Sequence, residues 1–152
     1  MIGVYLESVR RYQHMKKLYT ATANVTGGRD GHGTTSDGKL DLMLSKPKEL
    51  TGVEGEGTNP EQLFAIGFSA CFLSAIEHVA KQRKVDIGEA KITGNVDLGL
   101  GDDGGFELGV ELRCNLPGVS KEEAESIVDE AKGVCPYSKA TRGNIEMKTV
   151  IE

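Results

Sequence analysis

Two of the three cysteines of this chain lie where a thiol can do chemistry. Cys71 lies in the middle of an uncharged run from Leu63 to Ile76, and Cys135 directly precedes Pro136. Thiolates are strong nucleophiles, but an unperturbed thiol, with a pKa of about 8.5, is only a few per cent ionised at neutral pH. Cys71 is therefore either a redox-active thiol whose pKa a cation lowers, or a small buried apolar side chain, as many free cysteines are.

The cation that a reactive Cys71 needs has to come from another part of the chain. Cys71 lies about 12 positions inside its helix, and the effect of the helix dipole fades within the first turn. His78 is seven residues further on, about 10 Å along a helix, so its expected role is packing or solvent exposure. Arg29 is always charged and lies in the glycine-rich stretch GGRDGHG. That stretch is also typical of a solvated turn, and it lacks the context of a phosphate-binding loop.

Glu61 is the candidate that would hold Arg29 in place, because a carboxylate and a guanidinium can form two parallel hydrogen bonds. Its alternative role is to place negative charge in the first turn of a helix. Ten residues separate Glu61 from Cys71, which is about 15 Å along a straight helix. The two residues can share a site only if the helix bends or if the site forms between two copies of the chain.

The other cysteines and the histidines give weaker signals. Cys135 precedes a proline and begins a helical turn, a position that suits either a reactive thiol or a plain helix cap. Cys114 follows the alternation of a strand, and we expect it to be inert. His14, His32 and His78 share no ligand spacing with the cysteines, so no metal site is predicted.

A long helix over residues 59–81 has to position Cys71. Asn59 is a good N-cap, and Pro60 suits the first helical turn. Because no charged residue occurs from Leu63 to Ile76, we expect this mostly buried helix to lie between other elements. The run of 14 residues is shorter than the roughly 20 that cross a bilayer, which favours a core helix over a membrane helix.

The segments around this helix predict an α+β fold. The strands are expected over residues 18–25, 39–44, 90–100, 106–116 and 146–151. We expect the first two strands to pair as one hairpin and the next two as another. Ser120, followed by Glu123, predicts the start of a further helix that Gly133 ends, and a short helical turn follows Cys135.

Length, charge and the cysteine count narrow the class of protein. The chain has 152 residues, which suits a single domain, expected over residues 15–152. Residues 1–14 do not match the patterning that follows, and we expect an N-terminal extension outside the family pattern that is either flexible or a short docked helix. The net charge of −5 and the lack of a Lys/Arg stripe argue against nucleic acid as a partner. No signal peptide or disulfide framework is recognisable, so we expect a cytoplasmic protein with no membrane partner.

Three separated motifs resemble the organic hydroperoxide resistance (Ohr) branch of the Ohr/OsmC peroxidase family. They are TGGRDGHGTTSDGKLDLML, GTNPEQLFAIGFSACF and CPYSKATRGNIE, and they occur in the family's order. The resemblance covers residues 15–152. The extension over residues 1–14 and the extra Cys114 depart from the family pattern, and neither removes a catalytic group.

The resemblance implies a role for four residues and a mechanism. The peroxidatic and resolving cysteines, the activating arginine and the carboxylate that positions it correspond to Cys71, Cys135, Arg29 and Glu61, respectively. The implied activity is the reduction of organic hydroperoxides to alcohols through a Cys71 sulfenic acid and a Cys71–Cys135 disulfide. Dihydrolipoyl groups on lipoylated proteins are the implied reductant, and no bound cofactor is implied.

The resemblance also implies an OsmC-like fold, in which a long central helix is wrapped by antiparallel sheets in an intertwined homodimer with two sites at the subunit interface. Apolar residues near the site are candidates for a pocket that prefers bulky organic peroxides, with ordinary core packing as their alternative role. They are Phe64, Phe68, Phe72, Leu42 and Met43.

Three other functions stay open at this point. An OsmC-like peroxidase of broader peroxide preference would use the same residues. A non-enzymatic redox sensor would use the two thiols to signal to a partner. A purely structural dimer would keep Cys71 inert to thiol reagents.

Overall fold

The computed structural model of the protein describes residues 15–152, and the prediction of an extension over residues 1–14 lies outside them. The described residues form two compact units, one up to Gly57 and one from Thr58 to Glu152. Helices and antiparallel or mixed sheets both contribute, which confirms the α+β class.

The first unit contains a small antiparallel sheet. Its strands are β1 (Ala23–Thr26), β2 (His32–Thr35) and β3 (Asp41–Met43), adjacent in that order. A 3-10 turn over Gly28–Asp30 connects β1 to β2, and the one-turn helix α1 (Lys48–Thr51) follows β3.

The predicted pairing of residues 18–25 with residues 39–44 is wrong. Strand β1 pairs with β2, which lies partly in the predicted glycine-rich turn, and β3 pairs with β2 rather than with β1. The chain reverses early because Gly27 and Gly28 adopt φ angles of 72° and 59°, which glycine reaches without steric cost. The next residues, HGTT, are then free to form the central strand, although they lack the apolar alternation that marks most strands.

The long helix α2 (Pro60–Arg83) begins where predicted. The side-chain Oδ1 of Asn59 accepts a hydrogen bond from the backbone N–H of Gln62 at 2.9 Å, and Pro60 occupies the first turn. The helix ends at Arg83 rather than at the predicted Lys81, because Lys84 adopts the left-handed conformation, with a φ of 58°.

Only one face of α2 is buried in the single chain. The buried residues of this helix are Phe68, Phe72, Ala75, Ile76, Val79 and Ala80. On the opposite face Leu63 is 37% and Ile66 is 70% exposed, so within the single chain the helix is not surrounded by other elements, contrary to the prediction. Within residues 15–152, α2 is the one helix that is long and apolar enough to cross a membrane. The core helices of soluble proteins share this length and composition.

The rest of the second unit is a mixed sheet with two helices. Strands β4 (Lys91–Leu100) and β5 (Phe106–Asn115) form the predicted antiparallel hairpin. Strand β6 (Met147–Ile151) pairs with β5 in parallel. Helix α3 (Lys121–Val134) and the short helix α4 (Pro136–Thr141) lie between β5 and β6 in the chain.

Helix α3 confirms its predicted start and extends slightly beyond its predicted end. The hydroxyl of Ser120 accepts a hydrogen bond from the backbone N–H of Glu123 at 3.2 Å. The helix runs through Gly133 to Val134, and the backbone N–H of Cys135 still donates to the carbonyl of Ala131 at 2.9 Å. The last helical hydrogen bond therefore reaches the residue that carries the second candidate thiol.

The core of the second unit lies where α2 packs against β4, α3 and α4. Its largest fully buried side chains are Phe68, Phe72, Ile76, Val79, Leu112, Cys114, Ile127, Val128 and Cys135. Two of the three cysteines are thus part of the core, and the third, Cys71, packs against it.

Candidate active site

The structure brings Cys71 and Cys135 into contact although 64 residues separate them. Their Sγ atoms are 3.4 Å apart, and both thiols are free. A disulfide bond is about 2.05 Å long, so the two sulfurs touch without being bonded. Cys71 is half-buried and Cys135 is fully buried. The arrangement is that of a reduced pair from which a disulfide can form with a small movement.

Cys135 is held by the start of helix α4. It has extended geometry, with φ −62° and ψ 121°, as expected for a residue before proline. Its Sγ accepts a hydrogen bond from the backbone N–H of Ser138 at 3.5 Å, so the thiol is the N-cap of this helix. Capping and redox chemistry are therefore compatible uses of the same side chain.

Burial is the main reason why the pKa of the Cys71 thiol is raised above its ordinary value. A hydrogen bond from the backbone N–H of Tyr137 lowers this pKa, whereas the hydrogen bond with Cys135 and the charge of Cys135 raise it. The net effect disfavours the thiolate form of Cys71. A reactive thiolate at this position consequently depends on a positive charge near the sulfur, which agrees with the expectation from the sequence.

Arg29 lies in the 3-10 turn between β1 and β2 of the first unit and is half-buried. The neighbouring Asp30 forms an ion pair and hydrogen bonds with Lys46, and these interactions lower the pKa of the Asp30 carboxyl. The backbone N–H of Leu44 also donates to the carbonyl of Gly31 at 2.8 Å. The turn that carries Arg29 is thus tied to the segment after β3.

Glu61 lies in the first turn of α2 and is half-buried. Helix α2 is continuous from Pro60 to Arg83, so Glu61 and Cys71 are about 15 Å apart along its axis. The helix does not bend to bring them together. Glu61 and Cys71 of the same chain therefore do not meet.

The five candidate pocket residues occupy different surroundings. Phe68 and Phe72 are fully buried in the core, whereas Phe64 is half-buried. Leu42 is half-buried and Met43 is 63% exposed, both in strand β3 of the first unit. Because Leu42 and Met43 are neighbours in this strand, their side chains point to opposite faces of the sheet. The assignment of these side chains to a substrate pocket stays a prediction.

The remaining titratable candidates lie outside the thiol pair. Cys114 is buried in β5, and burial raises its pKa to about 11. His78 is exposed on α2. No group of three His, Cys, Asp or Glu side chains within residues 15–152 is arranged to hold a metal ion.

Tyr137 belongs to the site, and the sequence analysis did not single it out. Its ring is stacked on that of Phe64, with centroids 6.0 Å apart, and tilted against that of Phe68 at 5.6 Å. The only local signal was its place two residues after Cys135. The contacts themselves join α4 to α2 across about half the chain, which no local pattern could predict.

Comparison with known proteins assigns the family. The family of OsmC-like proteins matches residues 53–150. An organic hydroperoxide resistance protein from Xanthomonas axonopodis pv. citri is 53% identical over 133 residues, which cover 87% of this chain and 93% of the relative. Organic hydroperoxide resistance protein OhrB from Bacillus subtilis is 47% identical over 86% of this chain and 96% of its own length.

Two crystal structures extend the similarity to the fold. An organic hydroperoxide resistance protein from Legionella pneumophila has a TM-score of 0.85 and 48% identity, covering 90% of this chain and 99% of that chain. The structure of OhrB from Bacillus subtilis has a TM-score of 0.82 and 45% identity, covering 90% of this chain and all of that one. The chain therefore belongs to the OsmC-like protein family and, within it, to the organic hydroperoxide resistance proteins.

Proposed function

We propose that this protein is a thiol peroxidase that reduces organic hydroperoxides to alcohols. The observation that carries the proposal is the contact between two reduced thiols, Cys71 and Cys135, at 3.4 Å. The relatives named organic hydroperoxide resistance proteins supply the substrate class. Peroxide reduction by a thiol needs one sulfur to accept oxygen and a second to remove it, and this pair offers both.

In the first step the Cys71 thiolate attacks the distal oxygen of the hydroperoxide. A sulfur–oxygen bond forms, the oxygen–oxygen bond breaks, and the organic alkoxide takes up a proton to leave as the alcohol. Cys71 is oxidised to a sulfenic acid. Arg29 stabilises both the thiolate and the charge that develops on the departing oxygen, while Glu61 fixes the orientation of Arg29.

In the second step the Cys135 sulfur attacks the sulfenic sulfur of Cys71. A sulfur–sulfur bond forms and the sulfenic oxygen leaves as water. A dihydrolipoyl dithiol, carried on a lipoylated protein or as free dihydrolipoamide, then reduces the disulfide by thiol exchange and is itself oxidised to a cyclic disulfide. The reductant is consumed as a second substrate, so the protein needs no bound cofactor. We place the reaction in the cytoplasm.

The complete site is proposed to need a homodimer. Because α2 is one continuous helix, Glu61 is about 15 Å from Cys71 of the same chain. Arg29 and Glu61 of one subunit therefore serve Cys71 and Cys135 of the other. The exposed side of α2 carries Ile66, which is 70% exposed in the single chain, and burial of this apolar face against the second subunit would stabilise the dimer.

The preference for organic peroxides is proposed to come from apolar side chains beside Cys71. Phe64 and Phe68 both contact the Cys135 segment, through the ring of Tyr137. A pocket of this kind binds a bulky alkyl group, whereas hydrogen peroxide has no apolar group that could fill it. The other candidates are Phe72, Leu42 and Met43.

A thiol redox sensor is the second candidate function, and one observation favours it. The surroundings of Cys71 raise its pKa, and a thiol that ionises poorly reacts slowly with peroxide. A sensor would consume one equivalent of peroxide and would not turn over with a dithiol. An OsmC-like peroxidase of broader preference would turn over organic peroxides and hydrogen peroxide with similar efficiency.

Steady-state consumption of peroxides by the wild-type protein tests the proposal. We expect turnover of cumene and tert-butyl hydroperoxide with dihydrolipoamide as the reductant, with kcat/KM for hydrogen peroxide lower by at least about a hundredfold, the scale on which a well-filled apolar pocket discriminates. Glutathione and thioredoxin serve as control reductants and are expected to be poor. Stoichiometric consumption without turnover would favour the sensor.

A second prediction concerns the pH dependence of Cys71. Removing a cation destabilises the thiolate, so the midpoint for alkylation of Cys71 by iodoacetamide should move to higher pH in Arg29→Ala. At pH 7 the rate of peroxide reduction should then fall by at least about tenfold, since the thiolate fraction falls. The measurement is the alkylation rate of Cys71 between pH 5 and about pH 10, the range that spans ordinary thiol pKa values.

Two further variants give this experiment its controls. Arg29→Lys keeps the charge but loses the planar fork that matches a carboxylate, and we expect an intermediate midpoint. Arg113 lies on β5, where its Nε donates to Glu152 at 2.7 Å, so Arg113→Ala should leave the midpoint where it is. An unchanged midpoint in Arg29→Ala would remove Arg29 from the mechanism.

A further inference from the structure

The ring of Tyr137 attaches the Cys135 segment to helix α2. It stacks on Phe64 at an interplanar angle of 20° and meets Phe68 at 58°, with centroid separations of 6.0 and 5.6 Å. Phe64 and Phe68 are themselves in edge contact at 5.6 Å. Separations of about 4.5–7 Å are those at which aromatic pairs attract beyond simple burial. One tyrosine thus joins α4 to two successive turns of α2.

Gly67 makes room for this ring. A Cβ atom at this position would lie 3.3 Å from the hydroxyl oxygen of Tyr137 and 3.5 Å from its Cε2 atom. A glycine inside a helix is less favourable than alanine, so its presence in α2 has to be explained by something other than helix stability. The close seat of the tyrosine ring over Gly67, one helical turn before Cys71, supplies that explanation.

The backbone of Tyr137 connects the ring to both sulfurs. The backbone of Tyr137 lies close enough to the Cys71 thiol to lower its pKa, and Cys135 lies two residues earlier in the chain. The 3.4 Å contact between the two sulfurs therefore depends on where this short segment lies on α2. Two further hydrogen bonds hold the segment: the backbone N–H of Cys135 donates to the Ala131 carbonyl of α3, and the Ser138 hydroxyl donates to the Met147 sulfur of β6.

We infer that Tyr137 is a positioning residue for the step in which the disulfide forms. Its ring, seated over Gly67 and stacked on Phe64, holds the Cys135 sulfur within reach of Cys71, so that the Cys71 sulfenic acid meets a thiol before it meets a second peroxide. The inference rests on the proposed function, because it concerns the fate of the sulfenic acid. It assigns Tyr137 to the resolving step rather than to the reaction with the first peroxide.

The sulfenic acid has two fates, and their ratio is the quantity that the position of Cys135 sets. Attack by Cys135 gives the disulfide and water, whereas attack of the sulfenic acid on a second hydroperoxide gives the sulfinic acid and a second alcohol. Both fates begin at the same species. A variant that only reacts slowly with the first peroxide therefore leaves the ratio unchanged, whereas a variant that alters the placement of Cys135 changes it.

The test is to treat the reduced protein with increasing cumene hydroperoxide in the absence of a reductant and to quantify both products by mass spectrometry. In Tyr137→Ala we expect about fivefold more sulfinic acid per disulfide than in the wild type, the factor that corresponds to the roughly 1 kcal/mol of one aromatic pair. Tyr137→Phe keeps the stacked ring and is expected to restore the wild-type ratio.

Gly67→Ala tests the same contact from the other side and leaves Tyr137 in place. Alanine favours the helix, so this variant keeps the fold, while its Cβ would lie 3.3 Å from the Tyr137 hydroxyl and would make the ring shift slightly; we expect a ratio between those of the wild type and Tyr137→Ala. If Tyr137→Ala does not fold, Gly67→Ala decides, and a wild-type ratio there overturns the inference. A wild-type ratio in a folded Tyr137→Ala overturns it equally.

The wild type itself separates this inference from the proposed function. If the wild-type Cys71 stays a thiol under cumene hydroperoxide, the proposed peroxidase function fails and the role of Tyr137 fails with it. If the wild type forms the disulfide and all variants do so with the same ratio, the peroxidase function stands and only the positioning role of Tyr137 is wrong.

Discussion

The Cys71→Ser variant is expected to lose peroxide turnover by at least about a thousandfold, the scale of loss seen when a catalytic nucleophile is removed. A serine hydroxyl does not ionise near neutral pH and cannot form a sulfenic acid, so neither the first step nor the disulfide is available. The measurement is consumption of cumene hydroperoxide with dihydrolipoamide, in parallel with the wild type. The substitution is small, and Cys71 is only half-buried, so the fold is expected to persist.

Cys114→Ala is the matched control for this experiment. Cys114 is fully buried, and its pKa is raised to about 11, so only roughly one thiol in a thousand is ionised at pH 8. Its removal should leave turnover close to that of the wild type. In the wild type, iodoacetamide should label Cys114 only after unfolding. Normal peroxide consumption by Cys71→Ser would exclude the proposed mechanism.

The parts of the fold that sequence could predict are those set by neighbouring residues. The side chains of Asn59 and Ser120 cap α2 and α3 as expected, because a cap needs only an acceptor placed next to free backbone N–H groups. The hairpin of β4 and β5 was also predictable, since both strands alternate and a glycine-rich turn joins them. Local chemistry decides these features before the chain packs.

The first sheet was predicted less well because its central strand carries little hydrophobic signal. Strand β2 is composed of His32, Gly33, Thr34 and Thr35, and all four are only half-buried. The pattern favoured the more apolar residues 39–44 as the partner of β1, whereas the positive φ angles at Gly27 and Gly28 allow the chain to reverse before them. The geometry of the turn decided that β1 pairs with β2, and the pattern of hydrophobic residues did not predict this pairing.

The candidate site shows the same division between local and distant information. The resemblance to a family named Cys71 and Cys135, but their contact joins residues 64 positions apart, and no local pattern carries it. The pKa of Cys71 depends on burial and on Cys135, which sequence does not measure. The sequence did predict that a cation that activates Cys71 has to come from another part of the chain. Counting residues is enough to show that Cys71 lies too far from the helix N-terminus for the helix dipole to act on it.

The Cys135→Ser variant is expected to give one rapid turnover and then stop, with the steady-state rate lowered by at least about a hundredfold, because no thiol of the protein is left to resolve the sulfenic acid. The burst should be at least as fast as the first step of the wild type. The charge of Cys135 raises the pKa of Cys71, and a serine hydroxyl brings no such charge. Stopped-flow consumption of cumene hydroperoxide measures the burst, and mass spectrometry identifies the sulfenic and sulfinic products on Cys71.

Serine is a suitable replacement because it preserves the structural role of Cys135. The Cys135 sulfur caps α4 by accepting a hydrogen bond from the N–H of Ser138, and a serine hydroxyl is a preferred acceptor at an N-cap. Helix α4 therefore keeps its start, and the loss of turnover reports the loss of the sulfur alone. Sustained turnover by Cys135→Ser with dihydrolipoamide would mean that the dithiol attacks the Cys71 sulfenic acid directly, and the proposed disulfide would then lie outside the catalytic cycle.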